Sequence, residues 1–279
     1  MNLQKVLQDK IREGLKEGAD KLIIPDPVDW IEREFHIPET RNDPKLRGRI
    51  QLMQYQKDVI REIFSKDENG DFKYSIVVWS DIKKSAKSTI AAAVNVYRAY
   101  HMEFGEFYVV ANDLKQADSR VAHYIRRAIQ LNPKLRDRFK INGYRITSPT
   151  GSFIEAIPID PSGEAGGNAD GITWSELWGS NETAKQNMWV EQTLPPAKFG
   201  RAFRWVESYA GFSEESDLLY SLYDLGVKQG HLLWPDKLYD VTDGEPTQLE
   251  LYVNETASMI CLWNTQPRCP WQTKKYYAA

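Results

Sequence analysis

The sequence predicts an α/β domain: a mainly parallel central sheet flanked by helices. Three observations carry the prediction. Short apolar runs rich in β-branched or aromatic residues, 73–80 (KYSIVVWS) and 106–112 (EFYVVAN), are each followed by a helical pattern. The helix between them, 88–102 (STIAAAVNVYRAYHM), is apolar nearly all round, as a helix packed on a sheet should be. Strand–helix–strand alternation of this kind builds parallel sheets through crossover connections.

The elements follow in order. The opening MNLQKVLQDKIREGLKEG reads as a polar amphipathic helix, and Pro25, Pro27, Pro38 and Pro44 make the next passage read as an extended arm. Residues 51–64 carry Leu52, Tyr55, Val59, Ile60 and Ile63 at helical spacing, and KDENGD ends that helix in a loop. After the strand 106–112, a helix begins near Asn112 and stops before Pro133. YRITSPTGSFIEAIPI reads as two strands around Pro149-Thr150-Gly151, hence a hairpin. A Gly-rich loop (SGEAGGN) then leads to the short strand Gly171–Trp174, with Glu176 at its carboxyl end. The strand 201–212 ends in small residues, the helix 214–230 follows, and strand-like pieces fill the chain from about 231. The organisation expected is an arm over 1–50, a core over 51–230 and a strand-rich extension over 231–265, with no internal repeat.

The bulk numbers are those of an ordinary globular protein: 279 residues, 42% hydrophobic, 27% charged. No apolar run approaches the ~18 residues of a membrane span, and no signal-peptide core opens the chain. Two cysteines, Cys261 and Cys269, are too few for a zinc site and read as free thiols. The net charge of −3 excludes a histone-like polycation, but the stretch 113–145 is strongly basic and 207–255 is acid-rich. Arg126 and Arg127 are the candidates there for phosphate contacts; the plain alternative is a solvated helix face.

Four features bear chemistry. WSDIKKSAKST, 79–89, places Lys87 and Ser88 where a phosphate loop of the form G-x-x-x-x-G-K-[ST] ends, between a strand and a helix. Asp81 and Ala86 occupy its two glycine positions, and Ile82, Lys83, Lys84 and Ser85 lie between them, with Thr89 after the serine. Backbone N–H groups at a helix N-terminus hold phosphate, a lysine bridges its oxygens, and the hydroxyl that follows ligates Mg²⁺. Second, ITWSE places Glu176 at the end of an apolar strand, expected beside the strand of the phosphate loop, where a glutamate polarises an attacking water. Ser175 stands where a metal-orienting aspartate is usual, and its hydroxyl would reach the metal through water. Third, Gln56, beside Tyr55, has an amide able to read an adenine edge. Fourth, Ser208, Tyr209, Ala210 and Gly211 end a strand, where open α/β sheets line their ligand crevice. Each feature alone has a plainer structural explanation; their order and spacing together do not.

In these motifs the chain resembles the ATPase domain of viral terminase large subunits, the DNA-packaging motors of tailed bacteriophages. Tyr55-Gln56 looks like the family's adenine motif, KKSAKST its deviant Walker A with Lys83 as the upstream basic residue, ITWSE its Walker B with the catalytic glutamate, and SYAG its coupling motif. QPRCPWQTKKYY, 266–277, looks like the linker towards the family's nuclease domain. The resemblance implies a P-loop NTPase fold of the additional-strand, catalytic-glutamate type. It implies ATP and Mg²⁺ as cofactors, with Glu176, Lys87 and Lys83 catalytic and Ser208 to Gly211 coupling hydrolysis to movement. The implied partners are double-stranded DNA, a portal protein and a small terminase subunit, with no membrane involved. Ring assembly on the capsid and a monomer in isolation are implied as well, in the host cytoplasm. The stretch 266–279 then reads as a linker, and the sequence as an ATPase half without nuclease activity that hydrolyses ATP feebly when alone. One departure is the loop residue about eleven positions before Glu176, where many members carry an arginine finger: here it is Ala165. Arg201, Arg204 and the basic-helix residues are the candidate replacements. The competing expectations are a catalytically weak interaction module of the packaging machine and a helicase-like ATPase.

Overall fold

The computed structural model describes residues 24–111, 118–159, 168–177, 183–209 and 217–278. The expected opening helix, the start of the basic helix, the Gly-rich loop around Ala165, and Ala210-Gly211 lie outside these residues.

Among the described residues twelve strands are formed: β1 (Ile76–Asp81), β2 (Glu106–Ala111), β3 (Lys140–Asn142), β4 (Arg145–Thr147), β5 (Phe153–Pro158), β6 (Gly171–Ser175), β7 (Phe203–Ser208), β8 (His231–Leu232), β9 (Leu238–Val241), β10 (Gly244–Gln248), β11 (Leu251–Asn254) and β12 (Met259–Asn264). Ten of them make one sheet in the order β3-β4-β5-β2-β6-β7-β1-β12-β11-β8, and β9 and β10 pair separately. The central run β5-β2-β6-β7-β1-β12 is parallel throughout. Antiparallel pairs extend it at both edges, β4 and β3 at one and β11 and β8 at the other.

The parallel strands are buried on both faces, which is why their sequences read as continuous apolar runs. Along β1, Val77 and Trp79 enter one apolar layer and Val78 the other; in β7, Phe203 and Trp205 oppose Val206 in the same way. Trp79 and Trp205 stack at 5.5 Å across the β1–β7 pair. The first layer is closed by α1 (Pro27–Glu34), α2 (Gln54–Ile63), α3 (Lys87–His101) and α4 (Val121–Leu131). The second takes Met188 of α5 (Thr183–Glu191) and Leu218, Leu219 and Leu222 of α6 (Asp217–Tyr223). α7 (Lys274–Tyr277) lies near the C-terminus.

One expectation is corrected. The Pro-rich arm is not simply extended: Asp26 caps α1 by accepting from Asp29 N, Pro27 takes the first turn, and Trp30 and Ile31 are buried. Proline suits a helix start because the N–H it lacks would be unpaired there. The strand-rich extension over 231–265 adds β8, β11 and β12 to the main sheet, with β12 paired to β1 and two strands outside it.

Candidate functional site

The carboxyl ends of β1, β6 and β7 open into a cleft of about 990 Å³, the place where parallel α/β sheets take ligands. Its floor is the turn from β1 into α3. Ala86 stands at the N-cap of α3 in the left-handed region, φ 68° and ψ 19°, and Lys84 has φ 68° as well. That turn lifts Lys87 to the helix start, where it is 7% exposed with its Nζ 4.0 Å from Glu176 Oε1. Lys83, Lys84, Ala86, Lys87, Ser88 and Thr89 all line the cleft; Asp81, Ile82 and Ser85 do not.

Asp81 needs no glycine because it belongs to β1 rather than the turn. It is 1% exposed, accepts from Asn264 Nδ2 at 2.8 Å and Tyr55 OH at 3.1 Å, and so ties α2 and β12 to the strand end. Burial pushes its carboxyl above the usual range, opposed by those hydrogen bonds. Neither Asp81 nor Tyr55 reaches the cleft, so the structure gives them anchoring positions rather than ligand contacts. Gln56 does line the cleft, but its amide is spent locally. Its Oε1 accepts from Met53 N, and Nε2 donates to Ser85 O at 3.0 Å and Tyr55 OH at 3.2 Å. It thus braces the turn it faces.

The C-terminal stretch braces the same turn from outside. Trp271 Nε1 donates to Lys84 O at 2.7 Å, and Gln272 Nε2 and Tyr277 OH donate to Lys83 O at 3.1 and 2.8 Å. The walls include Ile37, Leu46, Ile50 and Met53 from the N-terminal segment, with Tyr124 from α4. None of these was legible as a site residue in the sequence.

Glu176 lies just past β6 with φ 56°, a strained backbone for a non-glycine residue. Its Oε1 accepts from Arg120 at 2.9 Å, while Oε2 is buried without a partner among the described residues. β6 is not beside β1, as the motif had suggested: β7 lies between them. That inserted strand carries Glu207, fully buried, whose Oε1 accepts from Ser175 Oγ at 2.6 Å and Ser88 Oγ at 3.0 Å. Burial, then the nearby Glu176, push the Glu207 carboxyl up to about 7, opposed by Lys87 and the two hydroxyls. A charged residue inside an apolar strand (FRWVES) was the overlooked signal.

Ser208, at the end of β7, is buried and donates to Tyr209 O. The Tyr209 ring lies in the cleft beneath two ammonium groups, 5.4 Å from Lys83 Nζ and 5.6 Å from Lys87 Nζ. Arg201 and Arg204 sit at the amino end of β7, away from the cleft at its carboxyl end. Arg201 faces Asp170 at 3.6 Å, and Arg204 donates to Trp189 O with its guanidinium over the Trp189 ring. Of the candidate arginines, Arg120, at the N-cap of α4, is the one that enters the site. Arg126 is engaged by Asp118 and Gly143 O, whereas Arg127 is exposed.

Ser88 lines the cleft floor; Ser175 and Glu207 lie behind it, outside the lining, and complete a set of two hydroxyls and one carboxylate, all hard oxygens. Among the described residues no group of three or more His, Cys, Asp or Glu forms a metal cage. Such a set suits Mg²⁺, which keeps waters and borrows phosphate oxygens, better than a softer metal. Both cysteines are free, and burial pushes the Cys269 thiol up to about 12.

No family model and no curated protein matches the chain. Its fold is shared with solved structures. On the large terminase of bacteriophage HK97 it superposes with a TM-score of 0.58 at 16% identity, covering 73% of this chain and 41% of that one. The chain therefore spans about two-fifths of that protein's length. Looser superpositions are those on the large terminase of a thermophilic bacteriophage and the N-terminal domain of the DNA packaging ATPase from bacteriophage phi29. The first has a TM-score of 0.47 at 11% identity, covering 63% of this chain and 43% of that one. The second has a TM-score of 0.41 at 16% identity, covering 68% and 89%. The chain thus has the α/β fold of a phage large terminase.

Proposed function

We propose that this domain binds and hydrolyses ATP in the cleft at the carboxyl ends of β1, β6 and β7. The observation that carries the reading is the convergence of Lys87, at the start of α3, with Glu176, 4.0 Å away at the end of β6. A helix N-terminus with a buried lysine holds phosphate, and a carboxylate beside it can take a proton from water.

On this reading the turn 82–86 is the phosphate loop, and Lys87 bridges the β- and γ-phosphates. Lys83 adds a second positive charge beside the Tyr209 ring. Ser88 takes Mg²⁺, whose bound charge would offset that developing on the phosphate oxygens. Glu176 receives a proton from the attacking water once a substrate displaces its contact with Arg120. Arg120 then faces the transferred phosphoryl group, the position an arginine finger would fill and Ala165 cannot. The base rests against the apolar wall of Ile37, Leu46, Ile50 and Met53. Gln56 acts through the loop carbonyl it holds, and its amide oxygen keeps a second lone pair for the base. Ser208 and Tyr209 join the γ-phosphate position to β7, and so to any movement of that strand.

A packaging motor that moves double-stranded DNA is the wider role that the shared fold supports. The chain would then work in a ring with portal protein and small terminase subunit, at a procapsid in the host cytoplasm. Steady-state ATPase of the wild type, Lys87→Ala and Glu176→Gln, with nucleotide binding measured in parallel, tests the proposal. Lys87→Ala is expected to lose binding, and Glu176→Gln to bind but not turn over. Equal rates in all three would refute the enzyme reading and favour an interaction module.

A further inference from the structure

We propose that Glu207 is the metal-site carboxylate of this domain, standing on β7 in place of the acid that β6 lacks at Ser175. The proposal rests on the ATPase reading above and deepens it.

Glu207 is in the right place. The register pairs Ser175 with Glu207 across adjacent parallel strands, so a side chain lost from one strand end is replaced from the next. Glu207 also reaches the first turn of α3, where Ser88 Oγ donates to it at 3.0 Å. One carboxylate oxygen therefore meets both serines that the motif places at a metal.

Its pairing is incomplete. Glu207 is 0% exposed, and its Oε2 has no hydrogen-bond partner among the described residues. An unpaired carboxylate out of water is costly, and natural proteins meet that cost with a cation, an ordered water or a catalytic use of the group. Two hydroxyl donors satisfy Oε1 alone.

The donor chemistry agrees. Ser88 and Ser175 each spend their proton on Glu207 and keep lone pairs for a cation. By themselves they would offer Mg²⁺ only neutral oxygens; Glu207 supplies the negative charge that serine in place of aspartate leaves out. Glu176 also has an unpartnered oxygen, but it faces Lys87 and neither serine, and on the reading above it serves the attacking water. The two carboxylates divide the work: Glu176 serves the water, Glu207 the metal. The bland alternative is a buried acid that merely staples β6, β7 and α3.

The test measures metal directly. Mn²⁺ binding is followed by electron paramagnetic resonance in the presence of ADP, and ADP affinity is measured with and without Mg²⁺. Wild type is compared with Glu207→Gln and with the double variant Glu207→Gln/Ser175→Asp, and thermal melting confirms folding. Glutamine is isosteric and sheds a buried charge, so the single variant retains the fold. Glu207→Gln is expected to weaken Mn²⁺ binding about 10–100-fold while ADP affinity without metal holds, and Ser175→Asp to restore the metal. Wild-type Mn²⁺ affinity in Glu207→Gln overturns the proposal and leaves the ATPase reading intact. A weakened affinity that Ser175→Asp does not restore also overturns it, returning Glu207 to the staple. A wild type that binds no ADP at all overturns both.

Discussion

Restoring the two glycines of the phosphate-loop pattern should push stability in opposite directions. Ala86 has φ 68°, where an L-residue costs about 1–2 kcal/mol more than in its ordinary conformations. Ala86→Gly removes that cost but returns about 0.4–1 kcal/mol of unfolded-chain entropy. A net gain of about 0.5–1 kcal/mol remains, roughly 1–3 °C in melting temperature for a chain of this length. Asp81→Gly does the reverse. It strips the Tyr55 hydroxyl and one N–H of Asn264 Nδ2, whose other N–H keeps Gln266 O, of their shared acceptor in a buried setting, at about 1–3 kcal/mol for each donor left unpaired. A glycine inside β1 adds about 0.5–1 kcal/mol of entropic cost. The loss should total several kcal/mol, tempered because the carboxylate it removes is itself costly to bury, as its raised pKa shows. Differential scanning calorimetry of the two single variants decides the matter. Shifts of the same sign in both, or a clear destabilisation by Ala86→Gly, would refute the left-handed turn at 86 and the anchoring role of Asp81.

Three further outcomes are expected. Arg120→Ala should leave ADP affinity near wild type but lower kcat by about 10³-fold if Arg120 supplies the finger's charge; an unchanged kcat in single-turnover assays would return it to a mere partner of Glu176. His101, ringed by Trp30, Tyr97 and Tyr100, is held neutral by burial, with Arg33 and Lys134 adding to the effect, and its pKa falls from 6.5 to about 4. The unfolded chain protonates it first, so stability should drop as pH falls from about 6.5 to about 4 and level off below. His101→Phe should flatten that part of the profile in pH-dependent denaturation. If the basic helix meets DNA phosphates, Arg127→Glu should reduce the salt slope of binding by about 0.9 for each phosphate no longer neutralised, whereas Arg126→Glu should chiefly destabilise by facing Asp118. Equal slopes for wild type and Arg127→Glu would make Arg127 a solvated surface residue.

What the sequence revealed divides along physical lines. The strands over 73–80 and 106–112 and the helix 88–102 were legible because double burial leaves unbroken apolar runs. Lys87 and Glu176 were legible because each follows such a run at a fixed offset. Sheet order was not, since apolar periodicity says that a strand is buried but not which strand lies next to it. Glu207 was therefore missed: its meaning depends on β7 lying between β6 and β1. The reading of Asp81 as a loop residue failed for a related reason, as its hydrogen bonds come from α2 and β12, far away in sequence. α1 was missed although Asp26-Pro27 is a legible helix start; the surrounding prolines outweighed it.

The place of β12 bears on the order in which this molecule can become itself. β1 pairs along its whole length with Met259–Asn264, so the strand that leads into the turn 82–86 keeps an open edge until that segment has been synthesised. Trp271, Gln272 and Tyr277, which hold the carbonyls of Lys83 and Lys84, are made later still. Closing so large a loop is slow, because its entropy is spent before any contact repays it. A nascent chain on the ribosome would thus carry Lys87, Ser88 and Glu176 long before the turn between β1 and α3 is braced. On the proposed reading, the site is complete only once the braces beyond β12 have emerged.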